Sequence, residues 1–217
     1  YGMSKMVGSV KHAVVLLGYG NARRIVTVSA LISKLGQQHG DVPFDLKSFW
    51  GHSLWVAHAG SLVSKITEVG LPDDYFSGGL MHDIGKLVEY QYLRPQMKLI
   101  LSGVQGGARF EDVEMRVLGV NHAVIGACVC DRWGFPKQVT DSVRYHLDSF
   151  AALEDKELPR EALVIAAMCA VGRKTLSAEG LAAWCGYLKL TPKQVEQISK
   201  EAAELSIASL RDIFVYS

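Results

Sequence analysis

The chain has 217 residues, 49% of them hydrophobic, and carries 23 Lys and Arg against 22 Asp and Glu for a formal net charge of +1. That length suits one sizeable domain, or one domain with a small appendage, able to bury a core without disulfides or a structural metal. A near-neutral chain with no basic run longer than a pair is not expected to capture nucleic acid or an acidic membrane. Its longest apolar stretch, Ala162 to Val171, is about half of what crosses a bilayer, so the expectation is a soluble, cytoplasmic protein.

Helical spacing dominates from one end to the other, and no alternation of strand length stands out. Ile25, Val28, Leu31, Ile32 and Leu35 form an apolar stripe that stops at Gly36, and Gln37 to Asp45 reads as a loop. A helix is expected from Leu46 to about Val69, ending near Gly70-Leu71-Pro72. Asp73 or Asp74 is placed to cap the next, which runs to about Leu93 and contains "GLMHDIGKL", Gly79 to Leu87. Further helices are expected over Pro95 to Ser102, Phe110 to Leu118, Ala123 to Trp133, Lys137 to His146 and Pro159 to Lys174. Ser177 to Ser217 reads as two more, the second opened by Thr191-Pro192-Lys193-Gln194 with the spacing of a capping box. The fold class is all-α: a multi-helix domain over residues 1–175, with a helical extension over 176–217 packed on it.

The four cysteines, Cys128, Cys130, Cys169 and Cys185, lack paired C-x-x-C spacing and read as core residues of a reducing compartment. Trp50, Trp55 and Trp133 lie on apolar stripes and are expected in the core. The chain opens on Tyr1 with no signal peptide, and further residues are expected upstream.

The histidines carry the chemistry. In "GLMHDIGKL", His82 and Asp83 sit among glycine and large apolar residues, where an ionisable group needs a partner: a metal ion, a phosphate, or each other. His52, His122 and His146 occupy similar apolar settings on or beside other helices. Imidazoles and a carboxylate gathered from several helices suit one divalent ion of Fe, Mn, Ni or Zn. Lys86, three residues after Asp83, shares its helical face and either holds a phosphate or pairs with Asp83.

The order of His52, "HDIGK" at 82–86, "NHAVIG" at 121–126, "RWGFP" at 132–136 and "RYH" at 144–146 resembles the HDOD domain, a member of the HD superfamily of helical metal-dependent phosphohydrolases. The opening "YGMSKMVGSVKHAVVLLGYGNARR" also resembles the middle of that domain, so the likeness covers roughly residues 1 to 175. It implies that His52 is the first metal ligand, His82 and Asp83 the doublet, Lys86 the phosphate contact, and His122 and His146 two additional ligands. Because separate helices each bring a polar group into an apolar setting, His52, His82, Asp83 and His146 are expected to converge, with His122 at the rim.

Several residues depart from the catalytic relatives. Leu147 stands where a second His would follow His146, and Ser48 where a carboxylate would precede His52. No acidic residue lies between Glu161 and Glu179, where a late ligand is required, and Met168 is expected at that place. Such a site holds one ion more readily than two. The expectation is therefore a non-catalytic bacterial signal-transduction output domain, with a protein partner in its pathway and a nucleotide as a candidate ligand, monomeric or oligomeric. The first alternative is a metal-dependent phosphohydrolase of a nucleotide or cyclic dinucleotide, using Asp83 and Lys86; the second is a helical interaction scaffold.

Overall fold

The computed structural model describes residues 40–174 and 176–214, all within one compact unit, Gln38–Ser217. Every regular element among them is an α-helix. The stripe expected over Ile25 to Leu35 lies outside the described residues.

Helix α1, Leu46–Thr67, starts where the Asp45 side chain accepts from the Ser48 amide at 2.9 Å and from the Ser48 hydroxyl at 2.7 Å. Ser48 is thus engaged in the cap. At the other end Glu68 takes a left-handed conformation, φ 54°. Helix α2, Pro72–Met81, has Pro72 in its first turn, and its N-cap, Leu71, makes no side-chain bond. Asp73 and Asp74 therefore do not cap it, as the sequence suggested; they lie inside the first turn, where carboxylates favour the positive end of the helix dipole.

The single helix expected to reach Leu93 is two. Helix α2 stops at Met81 and α3, Ile84–Tyr92, begins after a joint at His82 and Asp83, where Asp83 has φ −98° and ψ 12°. The chain continues through α4, Arg94–Gln105, α5, Phe110–Leu118, and α6, His122–Arg132, the last capped by Asn121 accepting from the Val124 amide at 3.1 Å. Next come α7, Lys137–Tyr145, and a one-turn α8, Phe150–Leu153, too short to show as a periodic pattern. Helices α9, Arg160–Gly172, α10, Ala178–Leu188, and α11, Pro192–Phe214, complete the unit. The expected capping box is present: the Thr191 amide donates to Gln194 Oε1 at 2.8 Å, and the Gln194 amide to Thr191 Oγ1 at 3.2 Å.

Helix α1 is the central rod. It packs against α2, α9 and α11, and Trp55 Nε1 fixes the last by donating to Ser199 O at 3.2 Å. Val56, Val63, Tyr75, Ile165 and Ile198 meet Trp184 of α10 in the core. Helix α6 packs against both α3 and α7, and α7 also contacts α2 and α9. Two glycines let backbones touch. A Cβ on Gly79 would stand 2.6 Å from the backbone of Ala57, and one on Gly85 would stand 2.0 Å from the carbonyl oxygen of His122.

Two burial expectations need correction. Trp50 is in the core and Trp55 is half-buried, but Trp133 is 51% exposed because the chain turns away at Gly134, φ 69°. Cys130, Cys169 and Cys185 are buried, whereas Cys128 faces outward on α6. No single helix among the described residues is long and apolar enough to cross a membrane.

Candidate metal centre

The joint between α2 and α3 explains how two adjacent residues face one point. Consecutive residues of an unbroken helix diverge by about 100°, but His82 and Asp83 occupy the break and their side chains stay close, with His82 Nε2 3.4 Å from Asp83 Oδ2. Around Asp83, Lys86 Nζ donates to Oδ2 at 2.7 Å, while His122 Nε2 and His146 Nε2 lie 3.1 and 3.2 Å from Oδ1. The His52 ring, from the second turn of α1, stands 5.0 Å from that of His82, centroid to centroid. Two groups of possible ligands result, His52–His82–Asp83 and Asp83–His122–His146, and the ligand atoms within each lie within 4.8 Å of one another. Asp83 belongs to both.

The hydrogen bonds of the imidazoles decide what they face inward. His82 Nδ1 is 2.6 Å from Gly79 O and His146 Nδ1 is 2.7 Å from Val143 O; a carbonyl only accepts, so each Nδ1 carries a proton and donates it. His122 Nδ1 sits 2.8 Å from both oxygens of Glu114 and donates likewise. In neutral imidazoles this leaves three Nε2 lone pairs aimed at the Asp83 carboxylate. His122 Nε2 and His146 Nε2 are only 3.2 Å apart, and neither His82 Nε2 nor Asp83 Oδ1 has a well-formed hydrogen bond. Lone pairs so converged repel unless a cation lies among them, and imidazoles oriented through Nδ1 in this way are what a transition metal requires. The donor set fits a borderline dication; the hard, oxygen-seeking Mg and Ca ions suit it poorly.

Burial and charge act together on the cluster. Burial opposes protonation of His82, yet the Asp83 charge outweighs it and holds this imidazole up to about 10. Burial opposes ionisation of Asp83, but His82, Lys86 and the two facing imidazoles keep its carboxyl well below the ordinary range. Burial holds His146 well below its usual value, and burial with the neighbouring His82 charge brings His52 down to about 3. The Asp83 charge thus recruits a positive partner, and a metal ion would compete with the His82 proton for that role.

On its open side the cluster meets a cleft of about 1230 Å³, where His52, Asp83 and Lys86 face Arg173, Phe110 and Trp184. Lys86 Nζ lies 5.1 Å from the Phe110 ring centroid, and Arg173 Nη2 donates to His146 O at 3.0 Å. Cations beside aromatic walls suit an anionic ligand that carries a flat apolar part.

With this geometry in hand, the HDOD domain profile matches residues 1–149. The chain belongs to the HDOD domain family. A curated relative of this HDOD domain, an uncharacterized protein of Treponema pallidum (strain Nichols), is 24% identical over 149 residues; the match covers 67% of this chain and 28% of the relative, so the chain spans under a third of that protein's length. A crystal structure from Shewanella amazonensis SB2B, described as a "Putative phosphohydrolase", superposes with a TM-score of 0.70 at 22% identity, over 94% of this chain and 77% of the other. Another, from Marinobacter aquaeolei VT8 and described as a "Putative signal transduction protein", gives 0.73 at 23% identity, over 95% and 48%. At these identities the likeness is one of fold.

The HDOD domain brings together every site residue expected from its sequence: His52, His82, Asp83, Lys86, His122 and His146. The placement of His122 at the rim is wrong, since it is fully buried beside Asp83 and the partly exposed His52 borders the cleft instead. Sequence reasoning missed Glu114 and Glu89, both fully buried behind His122, and Arg173 on the cleft wall. Met168 is buried, but the residue of α9 that interacts with His82 is Cys169.

Proposed function

We propose that this HDOD domain is a non-catalytic bacterial signal-transduction output module that holds one divalent transition ion at the Asp83 cluster and works in the cytoplasm through a protein partner. Residues 1–175 form the HDOD core in this reading, with 176–217 as its helical extension. The observation that carries it is the character of α9. From Ala162 to Cys169 this helix is buried and neutral throughout, so it offers no carboxylate beside His52 and His82. Asp83 then remains the one carboxylate within ligand distance among the described residues, too little negative charge to hold two dications in the arrangement that phosphate-ester hydrolysis favours.

A bound ion would supply Lewis acidity toward an anionic ligand. The residues of the chain do the rest: three imidazoles are oriented through Nδ1, Asp83 provides the charge, and Lys86 and Arg173 present cations to the cleft. A nucleotide is the ligand class these walls favour, its phosphate toward Lys86 and its base toward Phe110 or Trp184.

The cleft also supports a second reading. It opens directly on His52, Asp83 and Lys86, as access for a phosphate ester would require. Elemental analysis of wild type and Asp83→Ala, with a hydrolysis screen of nucleotides and cyclic dinucleotides in excess Mn or Fe, separates the readings. The expected result is metal in the wild type, none in the variant, and no turnover in either. Metal-dependent turnover that Asp83→Ala abolishes would replace the output module with a phosphohydrolase, and absence of metal from both would favour a helical scaffold.

A further inference from the structure

The start of α5, with its N-cap, sets a cation, an aromatic ring and a carboxylate in succession on the cleft wall: Arg109, Phe110 and Glu111. Glu111 lies between two guanidiniums, with Oε1 3.8 Å from Arg173 Nη1 and Oε2 3.6 Å from Arg109 Nη2. Both separations are too long for hydrogen bonds, so charge alone holds the carboxylate there and the facing donors of the arginines are only loosely engaged. Arg173 does not depend on this contact for its position. Its Nη2 donates to His146 O at 3.0 Å while Nη1 faces Glu111. Two other carboxylates of the cleft have closer partners: Asp83 has Lys86 Nζ at 2.7 Å, and Asp45 has the Ser48 hydroxyl at 2.7 Å. Glu111 is held less tightly than either.

We propose that Glu111 occupies an anion subsite of the cleft, between Arg109 and Arg173, and that a phosphate group of the ligand binds there by displacing it. This assignment rests on the nucleotide reading of the cleft and adds a place for phosphate beyond Lys86. The Glu111 carboxylate offers one oxygen to each guanidinium, whereas a phosphate shares at least three oxygens between them and carries more charge at neutral pH. A ligand carboxylate or a neutral molecule has no such advantage over Glu111 and is excluded. Glu111 is thus a specificity-determining residue, a built-in competitor that phosphate overcomes. Once displaced, its side chain remains in the first turn of α5, where the helix dipole still favours a negative charge.

The test uses the chelator-treated full chain, so it does not depend on the metal. Wild type, Glu111→Gln, Arg109→Ala, the variant carrying both, and Glu179→Gln are titrated calorimetrically with inorganic phosphate, pyrophosphate and acetate, with circular dichroism to confirm the fold. Arg109 makes no side-chain cap bond, so its removal leaves α5 intact. Glu111→Gln should bind phosphate and pyrophosphate about tenfold more tightly than wild type. That gain should shrink to within about twofold when Arg109→Ala is added, because the two residues couple. Glu179 is a carboxylate of the same cleft that pairs with neither arginine, and Glu179→Gln should stay within about twofold of wild type. Acetate should bind wild type far more weakly than phosphate does. Unchanged affinity in Glu111→Gln would overturn the proposal, as would an equal gain in Glu179→Gln or equal binding of acetate and phosphate. If wild type binds phosphate, loses it in Lys86→Ala and is indifferent to Glu111→Gln, the subsite fails while the nucleotide reading stands. Uptake of neither phosphate nor pyrophosphate by wild type or any variant would remove both.

Discussion

Replacing Gly85 by Ala tests whether backbone contact between α3 and α6 sets the centre. The added Cβ would meet His122 O at 2.0 Å, His122 C at 2.7 Å and His122 Cα at 2.9 Å, all backbone atoms that no rotamer change can move. Ordinary packing needs roughly 3.4 Å, so the two helices must part by about 1 to 1.5 Å. A clash with fixed backbone falls at the upper end of the about 1–3 kcal/mol that overpacking costs, while Ala regains up to about 1 kcal/mol of helix propensity over Gly, leaving a net loss of about 2 kcal/mol. For a domain of this size that lowers Tm by about 4–8 °C. The separation would also carry His122 Nε2 from 3.1 Å to more than about 4 Å from Asp83 Oδ1, whereas two ligands with bonds near 2.0–2.2 Å sit roughly 3.3–3.6 Å apart on a tetrahedral ion. Thermal unfolding followed by circular dichroism and calorimetric titration with Zn should show both losses, with affinity down about tenfold or more. An Ala variant that melts within about 1 °C of wild type and binds the ion equally well would show that the helices are not held apart or together at this point.

In chelator-treated protein, stability should peak near pH 6 to 7. His82, held up at about 10, contributes fully below its unfolded value near 6.5, and that contribution is lost as pH rises through the folded value. His52, brought down to about 3, is neutral in the fold, so the unfolded chain takes up the proton first as pH falls below about 6.5. This costs about 2–3 kcal/mol by pH 4.5. Urea unfolding across that range checks both limbs, and stability still climbing from pH 7 to 9 would contradict the His82 assignment. Arg173→Ala removes a cleft cation that donates to His146 O at 3.0 Å; phosphate or nucleotide binding should weaken about tenfold while metal content stays unchanged, as equilibrium dialysis and elemental analysis would show. Thr191→Ala breaks the capping box of α11 and should cost about 1 kcal/mol, or 2–4 °C in Tm, without effect on the centre.

The helices were legible because their apolar residues recur with helical spacing and their ends carry Pro, Gly, Asn or Thr where caps require them. Phe110–Leu118 emerges as expected to the residue. The joint at His82 and Asp83 was not legible, because "LMHDIGKL" carries no Pro and a lone Gly is tolerated inside a helix; the close approach of Gly85 to the His122 backbone, a tertiary contact, shows only in the fold. The histidines stood out as polar residues in apolar surroundings and through the family resemblance. Glu114 did not, since "FEDVEMR" reads as an ordinary amphipathic helix whose acids face water, and Glu111 and Asp112 in the same turn do remain partly exposed. Glu89 was hidden in the same way, among Lys86, Tyr90 and Gln91. Only the packing of α3 and α5 behind His122 tells these two acids from their neighbours.

The joint between α2 and α3 also makes the domain unequally tolerant of changes in chain length. A residue inserted between Asp83 and Ile84 would rotate all of α3 by about 100° about its axis. That single step would swing Lys86 off the Asp83 carboxylate, turn Gly85 away from α6 and remove Glu89 from behind His122. The same insertion at Gly107, an exposed turn with φ 91° and open space around it, would lengthen a loop and leave the cluster in register. Length drift in descendants of this sequence is therefore expected to collect around residues 106–109 and to be purged between Met81 and Gly85.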